Sequence, residues 1–195
     1  MALPAKDKRY TAEEYLELER RAEYKSEFVE GEIFALAGAT RAHNLVALNC
    51  GAELRRQLRG QPCETYPSDM RVQLAASTRY FYPDLVVVCG ERDFVDEAQD
   101  TLVNPTLITE VLSPSTEGYD RGEKFGQYRT IDSLQSYVLI SQHKPLVEVF
   151  ERQEDGSWRF SAYQGLSSSV LLPSIGYALS LREVYDRIDF GAENL

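Results

Sequence analysis

The chain has 195 residues, and its 31 acidic and 21 basic side chains give a net charge of −10 and a pI near 4.8. A dedicated nucleic-acid-binding domain usually has a basic face and a pI above about 9, so any nucleic-acid role here requires a local basic patch. The length suits one domain, 1–195, which buries about 70% of its unfolded surface and needs no disulfide or structural metal to fold.

Helical and β patterns alternate along the chain. Thr11 and Glu14 form a predicted capping box that opens the first helix. The predicted elements are a helix to about 21, a hairpin over 26–36 with Gly31 in its middle, a helix from Thr40 to a C-cap at Gly60, strands at 64–66, 71–74, 84–89 and 106–112, a helix over 119–130, strands at 136–141, 146–151 and 158–163, and a helix over 181–188. This order predicts an α/β fold in which helices flank a central mixed β-sheet.

Two acidic residues interrupt apolar runs that read as buried strands. Asp84 begins the run DLVVVC, directly after Pro83, and Glu110 lies inside TLITEVL, close to its end. An unpaired carboxylate is costly to bury, so such a residue usually shifts its pKa or binds a cation. Two acids at neighbouring strand ends can share one hard divalent ion, which leaves further positions for water and phosphate. The pattern therefore predicts a metal site at Asp84 and Glu110.

The three cysteines, Cys50, Cys63 and Cys89, are odd in number and form no CxxC pair. We predict that they are separate buried side chains without a redox or zinc role, as expected in a reducing cytoplasm. The first residues, MALPAKDKRY, contain no apolar signal sequence, and no stretch approaches the roughly 18 apolar residues of a membrane span. The sequence thus predicts a cytoplasmic protein that does not engage the membrane.

Three features together resemble the Uma-two family of bacterial endonucleases, a branch of the restriction-endonuclease-like superfamily with the PD-(D/E)xK signature. They are the Pro83–Asp84 pair, the EVLSPST segment from Glu110, and Asp120, Lys124 and Tyr128 at four-residue spacing. The resemblance covers about residues 10–149, including SEFVEGEI and the following helix with His43. It implies a restriction-endonuclease-like fold.

The resemblance also implies a catalytic set. Asp84 and Glu110 match the two acids that hold Mg²⁺ or Mn²⁺, and a lysine in the superfamily activates the attacking water or neutralises developing charge. The usual lysine position, two residues after Glu110, is occupied here by Leu112, and Lys124 is expected to replace it. Lys124→Ala is expected to abolish cleavage and leave folding intact, because loss of an exposed helix pair costs only a few tenths of a kcal/mol. The alternative is that Asp120 and Lys124 form no more than a surface i, i+4 pair.

A third metal-binding acid is expected from SEFVEGEI. Glu27 matches the family segment best, while strand alternation puts Glu30 and Glu32 on the opposite face, and the sequence leaves open which face points inward. His43 is equally open, because a single helical His is more often a packing or surface residue than a ligand. The SPST segment is expected to turn the chain and order the helix that carries Lys124.

The expected function is magnesium-dependent hydrolysis of phosphodiester bonds by an endonuclease, with DNA as substrate and partner. Two alternatives remain: a non-catalytic module that binds nucleic acid or protein, and a metal-dependent phosphoesterase on small nucleotides. The chain contains no GxSxG, GxGxxG or GxxxxGK[ST] motif, which disfavours serine hydrolases and common nucleotide-cofactor enzymes. Oligomeric state is open, with a homodimer as one candidate. Candidate basic patches, with solvated helix faces as their alternative, are Arg55, Arg56 and Arg59, and Arg121, Lys124 and Arg129.

Overall fold

The computed structural model describes residues 8–74 and 79–191. The elements are α1 (Ala12–Glu19), β1 (Ser26–Val29), β2 (Glu32–Ala35), α2 (Arg41–Gln57), β3 (Cys63–Pro67), β4 (Arg71–Gln73), β5 (Arg79–Phe81), β6 (Leu85–Cys89), β7 (Thr101–Leu102), β8 (Leu107–Leu112), α3 (Glu117–Tyr119), a π-turn (Asp120–Lys124), α4 (Phe125–Tyr128), β9 (Ser136–Ser141), β10 (Leu146–Arg152), β11 (Trp158–Gln164), β12 (Ser169–Leu172), a 3₁₀ turn (Pro173–Ile175), β13 (Tyr177–Ser180) and α5 (Leu181–Val184). Residues 1–7, where the sequence predicted no signal peptide, lie outside the described part.

Two sheets form the body of the molecule. The central sheet has the strand order β11-β10-β9-β8-β6-β3, and β8 and β9 pair in parallel within it. The second sheet has the order β2-β1-β5-β4-β7, and β12 pairs with β13 as a separate hairpin. The chain passes from the second sheet to the central one between β5 and β6, at Tyr82, Pro83 and Asp84. This mixed α/β architecture confirms the predicted fold class.

The central sheet is covered on both faces, which explains its continuous apolar strands. All six residues of β8 are buried. One face packs against α2 and the C-terminal elements through residues such as Val87 and Val111. The opposite face packs against the second sheet and α4 through residues such as Val86 and Ile108. Strands buried on both faces lack the alternation of a half-exposed sheet, as expected for β6 and β8.

Helix α2 lies very close to β6. A Cβ atom added at Gly51 would lie 2.9 Å from Cδ2 of Leu85, so glycine lets the helix approach the start of the strand. Thr40 caps the helix by accepting a hydrogen bond from the backbone N–H of His43 at 3.1 Å. The first turn of α2 is thereby brought next to Asp84.

Several predicted boundaries were wrong in detail. The helix predicted to end at Gly60 ends at Gln57, although Gly60 has the left-handed φ of +84°. The helix predicted over 119–130 is divided into α3, the π-turn and α4, and the final helix ends at Val184. The strands β5, β7, β12 and β13 were not predicted, because two to four residues give too little alternation to detect.

The cysteine prediction was wrong for two of the three residues. Cys63 and Cys89 form a disulfide across the antiparallel strands β3 and β6, where they are directly paired, while Cys50 is free and buried. Their sequence separation of 26 gave no local signal, because only the strand register makes them neighbours. Disulfides are uncommon in a reducing cytoplasm, so the cysteines no longer support that localisation. No helix among residues 8–74 and 79–191 is long and apolar enough to cross a membrane.

Candidate functional site

A cleft of about 920 Å³ opens at the end of the central sheet where strand β6 begins and strand β8 ends. Its walls come from α2, the loop before α2, the SPST segment and the π-turn. All three predicted catalytic residues, Asp84, Glu110 and Lys124, line this cleft, together with Glu27. Four residues that are far apart in sequence are therefore brought to one place.

Asp84 and Glu110 lie on adjacent antiparallel strands. Leu85 pairs with Thr109, and continuing this register by one residue sets Asp84 opposite Glu110. Asp84 Oδ2 accepts a hydrogen bond from the Val111 backbone N–H at 2.7 Å, which ties the first acid to the strand of the second. This arrangement confirms the predicted adjacency of the two strand ends.

His43 holds the same oxygen of Asp84 from the other side. Its Nε2 lies 3.3 Å from Asp84 Oδ2, and its side chain is 17% exposed. Burial lowers the pKa of His43, but the hydrogen bond to Asp84 and the charges of Asp84 and Asp120 raise it overall. The sequence left this residue undecided between packing and function, and the structure places it at the site.

Lys124 is buried at the centre of the carboxylates. Its Nζ lies 2.8 Å from Glu110 Oε1, 3.2 Å from Glu27 Oε1 and 3.9 Å from Asp120 Oδ1, and the side chain is 8% exposed. Burial opposes the charge of Lys124, but Glu110, Glu27 and Asp120 raise its pKa well above the usual value. The exposed-pair alternative for Asp120 and Lys124 is therefore wrong.

Of the three N-terminal acids, Glu27 is the one that faces the cleft. It lies in the middle of β1, is 11% exposed, and accepts a long hydrogen bond of 3.3 Å from the Tyr82 backbone N–H. Glu30 lies in the hairpin turn with a φ of +50° and pairs with Arg79. Glu32 is exposed in β2. The predicted alternation was wrong: Glu32 is directly paired with Val29 and so lies on the same sheet face as Glu27, while Glu30 lies in the turn. Position along the hairpin, and not the strand face, keeps Glu30 and Glu32 out of the cleft.

The SPST segment, which follows β8, forms one wall of the cleft. Ser113 accepts backbone hydrogen bonds from Thr116 and Glu117, and Asp120 donates its backbone N–H to the Thr116 carbonyl. The SPST turn thus leads directly into the helix with Lys124, as expected. In the last turn, Tyr128 donates a hydrogen bond of 3.2 Å to Glu110 Oε1. Asp120 and Tyr128 therefore join the site, although the sequence gave them no role beyond their spacing.

We call this group the acidic cluster; its members are Glu27, Asp84, Glu110, Asp120, Lys124 and His43. Four carboxylates meet one lysine and one histidine, so the cluster keeps an excess of negative charge even when His43 is protonated. Burial, with smaller contributions from Asp84 and Asp120, raises the pKa of Glu110 to about 8, although Lys124 acts in the opposite direction. Such a cluster is short of positive charge.

The residues present fit a hard divalent cation. Within residues 8–74 and 79–191, no group of three or more His, Cys, Asp and Glu side chains is arranged to hold a metal ion. Magnesium does not need such a group, because it is usually held by one or two carboxylates and keeps several waters. Asp84 and Glu110 supply those two carboxylates beside an open cleft, and Asp84 Oδ1 has no hydrogen-bond partner among the described residues.

Of the two candidate basic patches, the second does not form. Lys124 is buried, and Arg121 is bound by Glu148 and Glu117, so the second patch is absent from the described surface. In the first patch, Arg56 pairs with Glu53, and Arg55 lines the cleft.

The fold is shared with a protein of known structure. A solved structure described as "a putative nuclease belonging to DUF820", from Anabaena variabilis ATCC 29413, superimposes with a TM-score of 0.74. The alignment covers 91% of this chain and 98% of that one at 19% sequence identity, which establishes a shared fold.

The family follows from the sequence comparisons. Residues 12–182 match the Uma2 (Uma-two) family model, described as "Putative restriction endonuclease". Two proteins of Synechocystis sp., described as "Uncharacterized protein sll1609" and "Uncharacterized protein slr1290", are 41% identical over 170 residues and 34% identical over 178 residues. They align with 87% and 91% of this chain, and these alignments cover 96% and 92% of their own lengths. The chain belongs to the Uma2 family.

Proposed function

We propose that this protein is a metal-dependent endonuclease that hydrolyses phosphodiester bonds in DNA, with Asp84, Glu110 and Lys124 as its catalytic residues. Family membership and fold support a nuclease. The observation that carries the proposal is the acidic cluster: carboxylates with too little positive charge, built around a buried lysine and open to a cleft.

Asp84 and Glu110 would hold Mg²⁺ or Mn²⁺, and Glu27 would remain beside them as an acid that pairs with Lys124. When bound, the ion acts as a Lewis acid that polarises the scissile phosphate and lowers the pKa of an attacking water. Asp84 is held in place for this task because Val111 and His43 both bind its Oδ2, which leaves Oδ1 for the cation. We assign His43 as a positioning residue for Asp84.

Lys124 would act as a fixed positive charge. Its raised pKa keeps the ammonium group protonated at neutral pH, so it cannot take a proton from water. A buried ammonium group fixed by Glu110 and Glu27 can instead stabilise negative charge that develops on the phosphate. Lys124, on the π-turn, would take the role of the signature lysine, whose usual place in the chain is occupied by Leu112.

One observation favours a second candidate function. The cleft volume of about 920 Å³ lies within the range of small-molecule sites, roughly 300–1,000 Å³. Combined with the net charge of −10, it suits a metal-dependent phosphoesterase acting on small nucleotides. A non-catalytic module is disfavoured, because it would have no need to bury Lys124 among excess carboxylates.

The test is cleavage of labelled DNA with Mg²⁺, Mn²⁺ or a chelator, using wild type, Asp84→Asn and Asp155→Asn. Asp155 is an exposed acid in the turn after β10 and serves as the matched control. We expect cleavage by wild type and Asp155→Asn only with metal, and no cleavage by Asp84→Asn. Cleavage of dinucleotides but not longer DNA would favour the second candidate. Absence of all metal-dependent hydrolysis would refute both.

A further inference from the structure

The wall of the cleft opposite the π-turn is apolar and exposed. It is formed by one face of α2, where Ala47, Leu48 and Gly51 line the cleft, and by the loop that includes Leu36. Leu48 is 67% exposed and Leu36 is 37% exposed. Large apolar side chains left open beside a charged site form a surface for an apolar part of a ligand.

Cations in the cleft are few, and most are already engaged. Lys124 is bound by carboxylates, and Lys25 pairs with Asp69 and with Ser68. Arg55 lines the cleft and has no ion-pair partner within the described ranges. A duplex-binding protein commonly neutralises about six to ten phosphates. This cleft offers one free arginine, which suits a ligand with few phosphates.

These features follow one another along the length of α2, and all of them line the cleft. His43 stands beside Asp84 at the start of the helix, Leu48 follows, and Arg55 is twelve residues beyond His43. At 1.5 Å per residue, the distance along the helix from His43 to Arg55 is about 18 Å, enough for a short stretch of one nucleic-acid strand. Across the cleft, the half-buried rings of Tyr82 and Tyr119 line the opposite wall. Apolar and aromatic walls accept bases of any sequence, provided that the bases are unpaired.

We propose that the cleft binds a single, unpaired nucleic-acid strand rather than a duplex. The scissile phosphate would lie at Asp84 and Glu110, a neighbouring base would contact Leu48, and a phosphate further along would pair with Arg55. The site assignment rests on the proposed nuclease function, whereas the preference for an unpaired strand rests on the wall and the shortage of cations.

The test measures binding of a fluorescent DNA oligonucleotide, single-stranded or annealed to its complement, by anisotropy with Ca²⁺ in place of Mg²⁺. We expect the single strand to bind about ten-fold more tightly than the duplex, the size of one lost base contact. Leu48→Glu should weaken single-strand binding about ten-fold. Its matched control is Leu18→Glu, a 50% exposed helical leucine outside the cleft, which should bind as wild type does.

A second pair of variants tests the charge of Arg55. Arg55→Gln should weaken single-strand binding and reduce the slope of log affinity against log salt by about 0.7, the value for one phosphate on a single strand. Arg59→Gln, an exposed arginine outside the cleft, should leave the slope unchanged.

The results separate the two proposals. Equal or tighter duplex binding, or an unchanged affinity in Leu48→Glu, overturns the single-strand inference, even if metal-dependent cleavage of duplex DNA supports the nuclease. Leu48-dependent single-strand binding without any metal-dependent cleavage supports the inference and refutes the nuclease. If neither form binds, the inference is overturned.

Discussion

Two ionic clusters in this molecule, one buried and one partly exposed, differ in their charge balance. The acidic cluster at the cleft has four carboxylates around Lys124 and His43. A second group, which we call the arginine cluster, joins α1, β4 and the loop before β7; its members are Arg20, Arg71, Asp96 and Asp100. The first cluster is left with negative charge, whereas the second has two cations for two acids.

The charged side chains of the arginine cluster pair with one another. Arg71 is 2% exposed, and its Nη2 lies 2.6 Å from Asp100 Oδ2. Arg20 binds Asp100 through Nε at 2.8 Å and Asp96 through Nη2 at 2.8 Å. The nearby arginines lower the pKa of Asp100 well below its usual value, with Arg20 making the largest contribution.

The comparison shows how a structural cluster differs from a functional one. A buried charge is costly unless it is paired, so a group that only supports the fold pairs its members with one another. An excess of negative or positive charge persists only where a requirement other than folding, such as function, maintains it. Neutralising an acid should therefore reduce activity in one cluster and stability in the other.

The largest effect is expected from removing charge at the metal-binding acids. Asp84→Asn and Glu110→Gln should each lower metal-dependent cleavage about a thousand-fold or more, because the cation loses a ligand. The thermal unfolding temperature of Asp84→Asn should equal or exceed that of wild type, since this substitution relieves negative charge. Cleavage rates and calorimetry on the same samples check both parts. Strong destabilisation with normal cleavage would assign Asp84 and Glu110 to the fold.

Replacing Lys124 should reduce both cleavage activity and stability. Lys124→Met keeps the aliphatic stem but leaves Glu110 and Glu27 without their buried cation, and loss of one partner of a buried pair costs about 3–5 kcal/mol. The earlier expectation that Lys124→Ala leaves folding intact is wrong because it assumed an exposed pair. Urea unfolding with and without Mg²⁺ measures the effect, and the ion should restore part of the stability. A variant as stable as wild type would contradict the assigned charge balance.

The arginine cluster should respond in the opposite way. Asp100→Asn should lower the free energy of unfolding by about 2–3 kcal/mol at pH 7 and leave cleavage unchanged. Because folding depresses the pKa of Asp100, its contribution is full above its unfolded pKa of about 3.9 and is lost as pH falls toward the folded value. The stability difference between wild type and Asp100→Asn should therefore be constant above about pH 5 and shrink below about pH 4. Urea unfolding across this range checks it, and a difference that grows on acidification would contradict the pairing.

The smallest effect is expected at His43. His43→Ala removes one of two donors to Asp84 Oδ2, and loss of such a supporting contact usually costs about ten- to a hundred-fold in metal affinity or activity. Titration of cleavage rate against Mg²⁺ should show a higher metal requirement, and His43→Gln should restore part of it through its amide donor. His143→Ala, in the exposed turn before β10, is the control. An unchanged metal requirement would remove His43 from the site.

Local sequence determined a large part of this protein. The Thr11 capping box, the hairpin at Gly31, the buried runs of β6 and β8, and the placement of Asp84 after Pro83 all follow from interactions within a few residues. The spacing from Glu110 to Lys124 was informative for the same reason, since one turn and one helix connect them. Side-chain period, proline geometry and capping act locally and are readable in one sequence.

Only the tertiary structure decided the remaining features. Glu27 and His43 reach the site because β1 belongs to the second sheet and because Gly51 lets α2 approach Leu85. The burial of Lys124 and the pairing of Cys63 with Cys89 depend likewise on which elements become neighbours. A contact between distant residues is fixed by the register and packing of whole strands and helices, and no short window of sequence contains that information.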